Sequence, residues 1–150
     1  TWPTGELFSL LATHSILRHS LGAEPAPVGP DDEFFRRACA AALTEGGDIT
    51  ASLFAIRAAS LLQELEPTDA AARLSGLLIG GEIASAMRRY GAGQEPVTLV
   101  GTGALGALYG AALGLAGIGV RPVDAEQAVR AGLFSAARHN GMIATAGVSA

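Results

Sequence analysis

Residues Val97 to Gly110 read V-T-L-V-G-T-G-A-L-G-A-L-Y-G, a mostly β-branched run that passes through glycines 101, 103 and 106 into an alanine- and leucine-rich segment. The first four residues predict a strand, the alanines and leucines predict a helix, and the glycines predict the turn between them. A strand that ends this way delivers backbone N–H groups to the positive end of a helix dipole, where a nucleotide or another anionic group would fit. The segment Gly101-Thr102-Gly103-Ala104-Leu105-Gly106 also matches G-x-G-x-x-G, and Asp124 follows 23 positions after Gly101. That spacing is the one a dinucleotide-binding unit uses. Such a unit is normally followed by several further strand–helix pairs, whereas only 26 residues follow Asp124. The loop by itself leaves two readings open, nucleotide binding of some kind and a purely structural tight turn.

The rest of the chain is organised as helices around that unit. A helix is predicted from Thr4, read as its N-cap, with Glu6 in the first turn, to an end between His14 and Leu17. Gly22 to Pro30 is too rich in glycine and proline for regular structure and reads as an exposed connector. Pro30 is read as opening a second helix whose first turn carries Asp31, Asp32 and Glu33 and whose apolar stripe is Phe34, Phe35, Ala38, Ala41 and Ala42, with Gly46-Gly47 as its stop. Asp48 or Thr50 caps a third, with Phe54, Ala58, Leu61 and Leu65 on one face. The longest helix runs from about Thr68 to Arg89, where Ala72, Gly76, Gly80 and Ala84 recur every four residues as a groove free of side chains. Glycine inside a helix costs about 1 kcal/mol against alanine, so a close contact, most often another helix, should repay it. Past its first turn, Glu82 is the one acid in this apolar stretch. Ile118 to Val123 is a second strand, which with the strand and helix before it forms a βαβ crossover and hence a parallel pair. Asp124 caps a last helix, Ala125 to His139, stopped by Asn140-Gly141. Two parallel strands do not make a sheet that stands alone, so partners beyond this chain are expected.

Composition removes several classes of function. Hydrophobic residues make up 49% of the chain and charged residues 16%, enough for the core of one domain. The formal net charge is −4 and the ten cations are scattered arginines, so no nucleic-acid surface is expected. There is no lysine, which excludes a Walker-type phosphate loop and Schiff-base chemistry. The single cysteine, Cys39, sits in a helical alanine-rich pattern and reads as a buried, inert thiol. Val97 to Val120 has no charge and spaces Gly106, Gly110 and Gly114 by four, but strand and loop explain its seven glycines better than a membrane span does. His14, His19 and His139 lack metal-ligand spacing, and no G-x-S-x-G occurs, so neither a metal site nor a serine nucleophile is assigned.

Four segments, in order, resemble one family. Thr4 to Leu17, T-G-E-L-F-S-L-L-A-T-H-S-I-L, resembles the T-G-E-L-F-x-L-L-x-x-H-S-I-L segment of 2-dehydro-3-deoxygalactonokinases. Leu53 to Arg57 is similar to that family's L-F-S-x-R, Leu74 to Glu82 to its L-S-G-L-L-I-G-x-E, and Ala131 to Leu133 to its closing A-G-L. The resemblance implies an α/β, predominantly helical chain forming the C-terminal, nucleotide-side lobe of an actin-like sugar-kinase fold, a partial ribonuclease H-like sheet with packed helices. It implies ATP-dependent phosphorylation of 2-dehydro-3-deoxy-D-galactonate at its 6-hydroxyl in the parent enzyme, with ATP and Mg²⁺ as cofactors, the sugar acid as partner and a homodimer as candidate assembly. Gly101, Thr102 and Gly103 resemble the adenosine motif, with Gly76 and Gly80 as neighbours, and Thr4, Gly5 and Glu6 fall near the cleft between lobes. The D-x-G-T-T phosphate loop and the P-G-T-H-S-K-W segment of the family are absent from these residues. No catalytic base is identified, Mg²⁺ is expected to be held largely outside this chain, and a cytoplasmic location is expected. Two other readings stand beside it: an NAD-binding module with Asp124 on a ribose, and a non-catalytic helical interaction domain whose glycines serve only packing.

Overall fold

The computed structural model describes residues 2–22, 27–45, 49–91, 95–101 and 103–142. Within them the chain forms α1 (Thr4–His14), α2 (Arg18–Leu21), α3 (Glu33–Glu45), α4 (Ile49–Leu61), α5 (Pro67–Tyr90), β1 (Val97–Val100), α6 (Gly103–Leu115), β2 (Val120–Val123) and α7 (Ala125–His139). The chain is mostly helical, with one small parallel sheet.

Helix α5 is the axis of the molecule. It starts with Pro67 in its first turn, carries Asp69 there and Arg88 and Arg89 at the other end, and stops at Gly91, whose φ is 81°. Each of these signals favours the helix end at which it stands. Its middle is apolar on more than one side, as befits a helix covered all round. Leu74, Leu77 and Leu78 join Leu17, Leu21 and Ile56 in one core cluster. Ala72, Ile79 and Ile83 join Phe35, Cys39, Leu108 and Ala112 in the other.

The glycine stripe of α5 is filled by α3. A Cβ added at Gly76 would stand 2.2 Å from the Phe35 carbonyl oxygen, and one at Gly80 would stand 2.7 Å from the Cys39 carbonyl oxygen. The two helices therefore meet backbone to backbone, and this is the most extensive contact between elements. Cys39, fully buried in that interface, has its thiol pushed from an ordinary value of 9.0 up to about 11, chiefly by burial and partly offset by Arg36.

Several helix boundaries differ from the sequence-based expectation. Helix α1 has Pro3 at its N-cap position, so Thr4 is inside the helix rather than its cap. The hydroxyl of Thr4 has a distant partner instead, described below. Pro30 does not open α3; Asp32 precedes it and accepts a hydrogen bond from the Phe35 N–H at 3.0 Å, the usual N-cap bond. On α4 the inward residue is Ile56, while Phe54 is 74% and Leu61 is 63% exposed, opposite to the expected face. That helix ends at Leu61, where Gln63 takes a left-handed φ of 59° and Glu64 N–H reaches back to the Ala59 carbonyl. Leu65 is buried, but after the helix has ended. Residues 23–26 of the expected connector Gly22 to Pro30, the Gly46-Gly47 stop, the Asp48 cap and the tail after Met142 lie outside the described residues.

The βαβ unit follows the expectation closely. β1 and β2 pair in parallel, Val97 with Val120 through Val100 with Val123. Asp124 caps α7 by accepting from Gln127 N–H at 2.9 Å. Gly141, at φ 68°, closes α7 with its N–H on Arg138 while Met142 reaches Ala137. Pro122 stands in β2 opposite Leu99, and because it has no N–H, β2 suits a sheet edge at that position.

Two glycines separate packing from propensity. Gly76→Ala should lower stability by about 2 kcal/mol in urea unfolding, the cost of overpacking exceeding the helix-propensity gain. Gly132→Ala, in α7 with nothing within 4 Å of its added Cβ, should raise stability by roughly 0.5–1 kcal/mol. Equal effects at the two positions would contradict the close α3–α5 approach. Cys39 should resist a disulfide reagent at pH 8 in the native protein and react on unfolding. Since burial favours the neutral thiol, its contribution to stability is fully present below about pH 9 and is lost as pH rises toward 11. Rapid native-state labelling would contradict this burial.

Candidate functional site

The turn between β1 and α6 uses its three glycines for three different purposes. Gly101 donates its N–H to the Val123 carbonyl at 3.2 Å, so that group belongs to the sheet and does not face outward as the sequence suggested. Gly106 lies over Gly101, where an added Cβ would be 3.4 Å from the Gly101 carbonyl carbon; it sets how close the helix comes to the strand. Gly103 takes a φ of +67° with open space where its side chain would be. Thr102 lies outside the described residues. The N–H groups of Gly103, Ala104 and Leu105 begin α6 and have no partner within it, which makes them the donors available to an anion. Gly103, Ala104, Leu105 and Ala107 are exposed and Gly106 is half-buried, so among the described residues no side chain covers the start of α6.

Beside the turn, three helices meet at one carboxylate. Glu82 of α5 accepts hydrogen bonds on the same oxygen, Oε2, from the Thr4 hydroxyl of α1 and from the Tyr109 hydroxyl of α6, each at 2.5 Å. Distances this short are those of charge-assisted O–H bonds. Burial, and then the hydrogen bond and charge of Glu82, push the Tyr109 hydroxyl well above its ordinary range, so it remains a proton donor at any physiological pH. Close by on α5, Trp2 Nε1 donates to Ser85 at 3.3 Å, and its ring meets Tyr90 edge-on with centroids 6.3 Å apart.

Three clefts share this node as a wall. One of about 200 Å³ brings together Thr4, Gly5, Ser75, Leu105 and Tyr109, and so places the starts of α1 and α6 on one cavity. A second, of about 240 Å³, lies among Trp2, Thr4, Glu82, Ser85 and Arg88. The third, about 380 Å³, opens between α5 and β1 and is lined by Glu82, Met87, Tyr90, Glu95, Leu99 and Tyr109.

The sequence-derived site residues therefore separate into groups. Thr4 and Gly5 share a cleft with the first turn of α6. Glu6 is exposed. Gly76 and Gly80 face the backbone of α3, which leaves no room for a nucleotide at either, so their assignment as neighbours of the adenosine is corrected to helix packing. Asp124 caps α7 through Oδ1. Among the described residues no three His, Cys, Asp or Glu side chains are grouped to hold a metal ion, and no helix is long and apolar enough to cross a membrane. The partnership of Glu82 with Thr4 and Tyr109 was missed, because nothing local pairs residues 78 and 27 positions apart. The available signal was a carboxylate in an apolar helix, which requires hydrogen-bond donors from elsewhere.

Comparison with known proteins converges on one family. Residues 1–136 match the family model described as 2-keto-3-deoxy-galactonokinase. The chain is 45% identical over 138 residues to a protein of Rhizobium meliloti described as a probable 2-dehydro-3-deoxygalactonokinase, covering 92% of this chain and 44% of that one. It is 38% identical over 137 residues to the 2-dehydro-3-deoxygalactonokinase of Escherichia coli, covering 89% and 44%. A crystal structure of a Sinorhizobium meliloti protein assigned to the 2-dehydro-3-deoxygalactonokinases superposes with a TM-score of 0.84 at 45% identity, over 91% of this chain and 44% of that one. The chain thus spans a little under half the length of these relatives.

Proposed function

The chain belongs to the 2-keto-3-deoxy-galactonokinase family, and we propose on that premise that it is the C-terminal, nucleotide-side lobe of a two-lobed, actin-like sugar-acid kinase. The whole enzyme would transfer the γ-phosphoryl group of ATP to the 6-hydroxyl of 2-dehydro-3-deoxy-D-galactonate. The observation that carries the reading is the exposed start of α6: backbone donors at Gly103, Ala104 and Leu105 that have no partner inside the helix, with Leu105 on a cleft that also includes Thr4 and Gly5.

These residues fit part of a nucleotide and nothing more. The donors at the start of α6, with the dipole behind them, would hold the adenosine and α-phosphate end, and the missing side chain of Gly103 lets the ligand approach the backbone. Thr102 keeps its proposed place in the adenosine motif. Thr4 and Gly5 would border the cleft between the lobes, with Glu6 on its outer side. Phosphoryl transfer also needs charge stabilisation, which Mg²⁺ supplies when bound, and a base in reach of the attacking hydroxyl. This chain offers neither a grouped metal-ligand set among its described residues nor a candidate base. Both would come from elsewhere in the enzyme.

The dinucleotide reading is weakened by Asp124. A ribose-binding carboxylate offers both oxygens at the strand end, whereas Asp124 has Oδ1 committed to the Gln127 N–H as the cap of α7. The packing-only reading accounts for Gly76, Gly80 and Gly106, and leaves the left-handed, uncovered Gly103 without a purpose.

Thermal unfolding separates the three. Millimolar ATP should raise the melting temperature of this chain saturably, NAD should not, and the chain alone should release no ADP in the presence of the sugar acid. A rise with NAD in place of ATP would support the dinucleotide module, and no rise with either would support the packing-only domain. Turnover by these 150 residues alone would contradict the half-site reading.

A further inference from the structure

We infer that Glu82 is a positioning residue for the nucleotide turn: by holding Tyr109 and Thr4 on one oxygen, it fixes the first turns of α6 and of α1 against each other. The inference rests on the proposed nucleotide site for its ligand, but its structural half stands on the geometry alone.

Along α6 from its start, Gly103, Ala104, Leu105 and Ala107 are exposed and Gly106 is half-buried; Leu108 is the first buried residue and Tyr109 comes next. The turn that carries the free N–H groups is therefore cantilevered from this point. Leu108 supplies an apolar contact, which resists separation but sets orientation weakly, because such contacts are non-directional. The Tyr109 hydroxyl supplies a directional bond to a charged acceptor on α5, the most extensively packed helix of the fold. The same oxygen holds Thr4, and Thr4, Gly5, Leu105 and Tyr109 line one cleft. The width of that cleft next to the turn is thus set at a single atom, Glu82 Oε2. Neither hydroxyl is free to turn to a ligand while the node is intact. That makes the three side chains part of the wall, with the backbone donors of α6 left as the binding groups.

This arrangement makes the acceptor oxygen the requirement rather than the carboxylate as such. Glu82→Gln keeps an amide oxygen that can accept from both hydroxyls, whereas Glu82→Leu removes both directional bonds and Tyr109→Phe removes one, each retaining apolar bulk. Amide hydrogen exchange and ATP titration on the full chain test the two halves separately. In Tyr109→Phe and Glu82→Leu, exchange should accelerate about tenfold or more at the hydrogen-bonded amides of 107–109, and in Glu82→Leu also at 7 and 8, with the amides of the α3–α5 interface unchanged. The ATP dissociation constant should rise about tenfold in both, and Glu82→Gln should stay within about threefold of the parent in both measurements. Unchanged exchange at 107–109 in Glu82→Leu and Tyr109→Phe, or an increase spread evenly over α3 and α5, would overturn the positioning role. A Glu82→Gln variant as impaired as Glu82→Leu would also overturn it, because the effect would then follow charge and not the acceptor. If the parent binds no ATP, the nucleotide reading fails, while the exchange pattern still decides whether Glu82 positions the turn.

Discussion

The backbone contact between α3 and α5 is the constraint from which the rest of the structure follows. With the Phe35 carbonyl oxygen 2.2 Å from where a Cβ on Gly76 would stand, no other residue type lets these two helices meet at this distance. Close approach puts Phe35, Cys39 and Ala42 into the body of the molecule and leaves two further sides of α5 to be covered by the short helices α1, α2 and α4 and by α6. The helical glycines Gly76 and Gly80 are unfavourable locally by about 1 kcal/mol each relative to alanine. The buried apolar surface they bring together outweighs that cost, at roughly 25 cal/mol per Å² removed from water.

Because α5 is held so firmly, the polar group it carries becomes a fixed reference for its neighbours. Glu82 lies two residues after Gly80, where α5 turns from α3 toward the cleft side, and it receives one donor from the helix before α5 and one from the helix after it. A half-buried carboxylate with two hydroxyl donors meets the cost of leaving bulk water through directional bonds. The consequence is geometric: the starts of α1 and α6, 99 residues apart in the chain, line the same cavity. In the βαβ crossover that contains Leu105, Gly101 is spent on the sheet, Gly106 on close packing, and Gly103 is left open.

Signals confined to a few neighbouring residues were legible in the sequence. Asp124 before α7, Asn140-Gly141 after it and the β-branched run of β1 each act within one helical turn or one strand, so their meaning does not depend on distant partners. What failed depended on distant partners. Thr4 has the chemistry of a cap, yet its hydroxyl finds a better acceptor in Glu82, 78 positions away. The stripe Phe54, Ala58, Leu61 on α4 is as good a helical face as the one actually buried around Ile56, and only α5 and α2 decide between them. Gly76 and Gly80 promised close approach without saying to what, and the answer is α3. The family resemblance, carried by Thr4–Leu17 and Leu74–Glu82, is supported by the relatives, and the two segments prove to contain Thr4 and Glu82, two of the three members of the node.

The central claim is that a nucleotide seats on the backbone at the start of α6, beside Thr4 and Gly5. Amide chemical-shift mapping on the isotopically labelled chain during ATP titration tests it most directly. Saturable shifts should concentrate at 103–105 and at Thr4 and Gly5, with Gly76 and Gly80 silent beneath α3. Shifts centred on the cleft between α5 and β1, or on Gly76 and Gly80, with the start of α6 unperturbed, would contradict it.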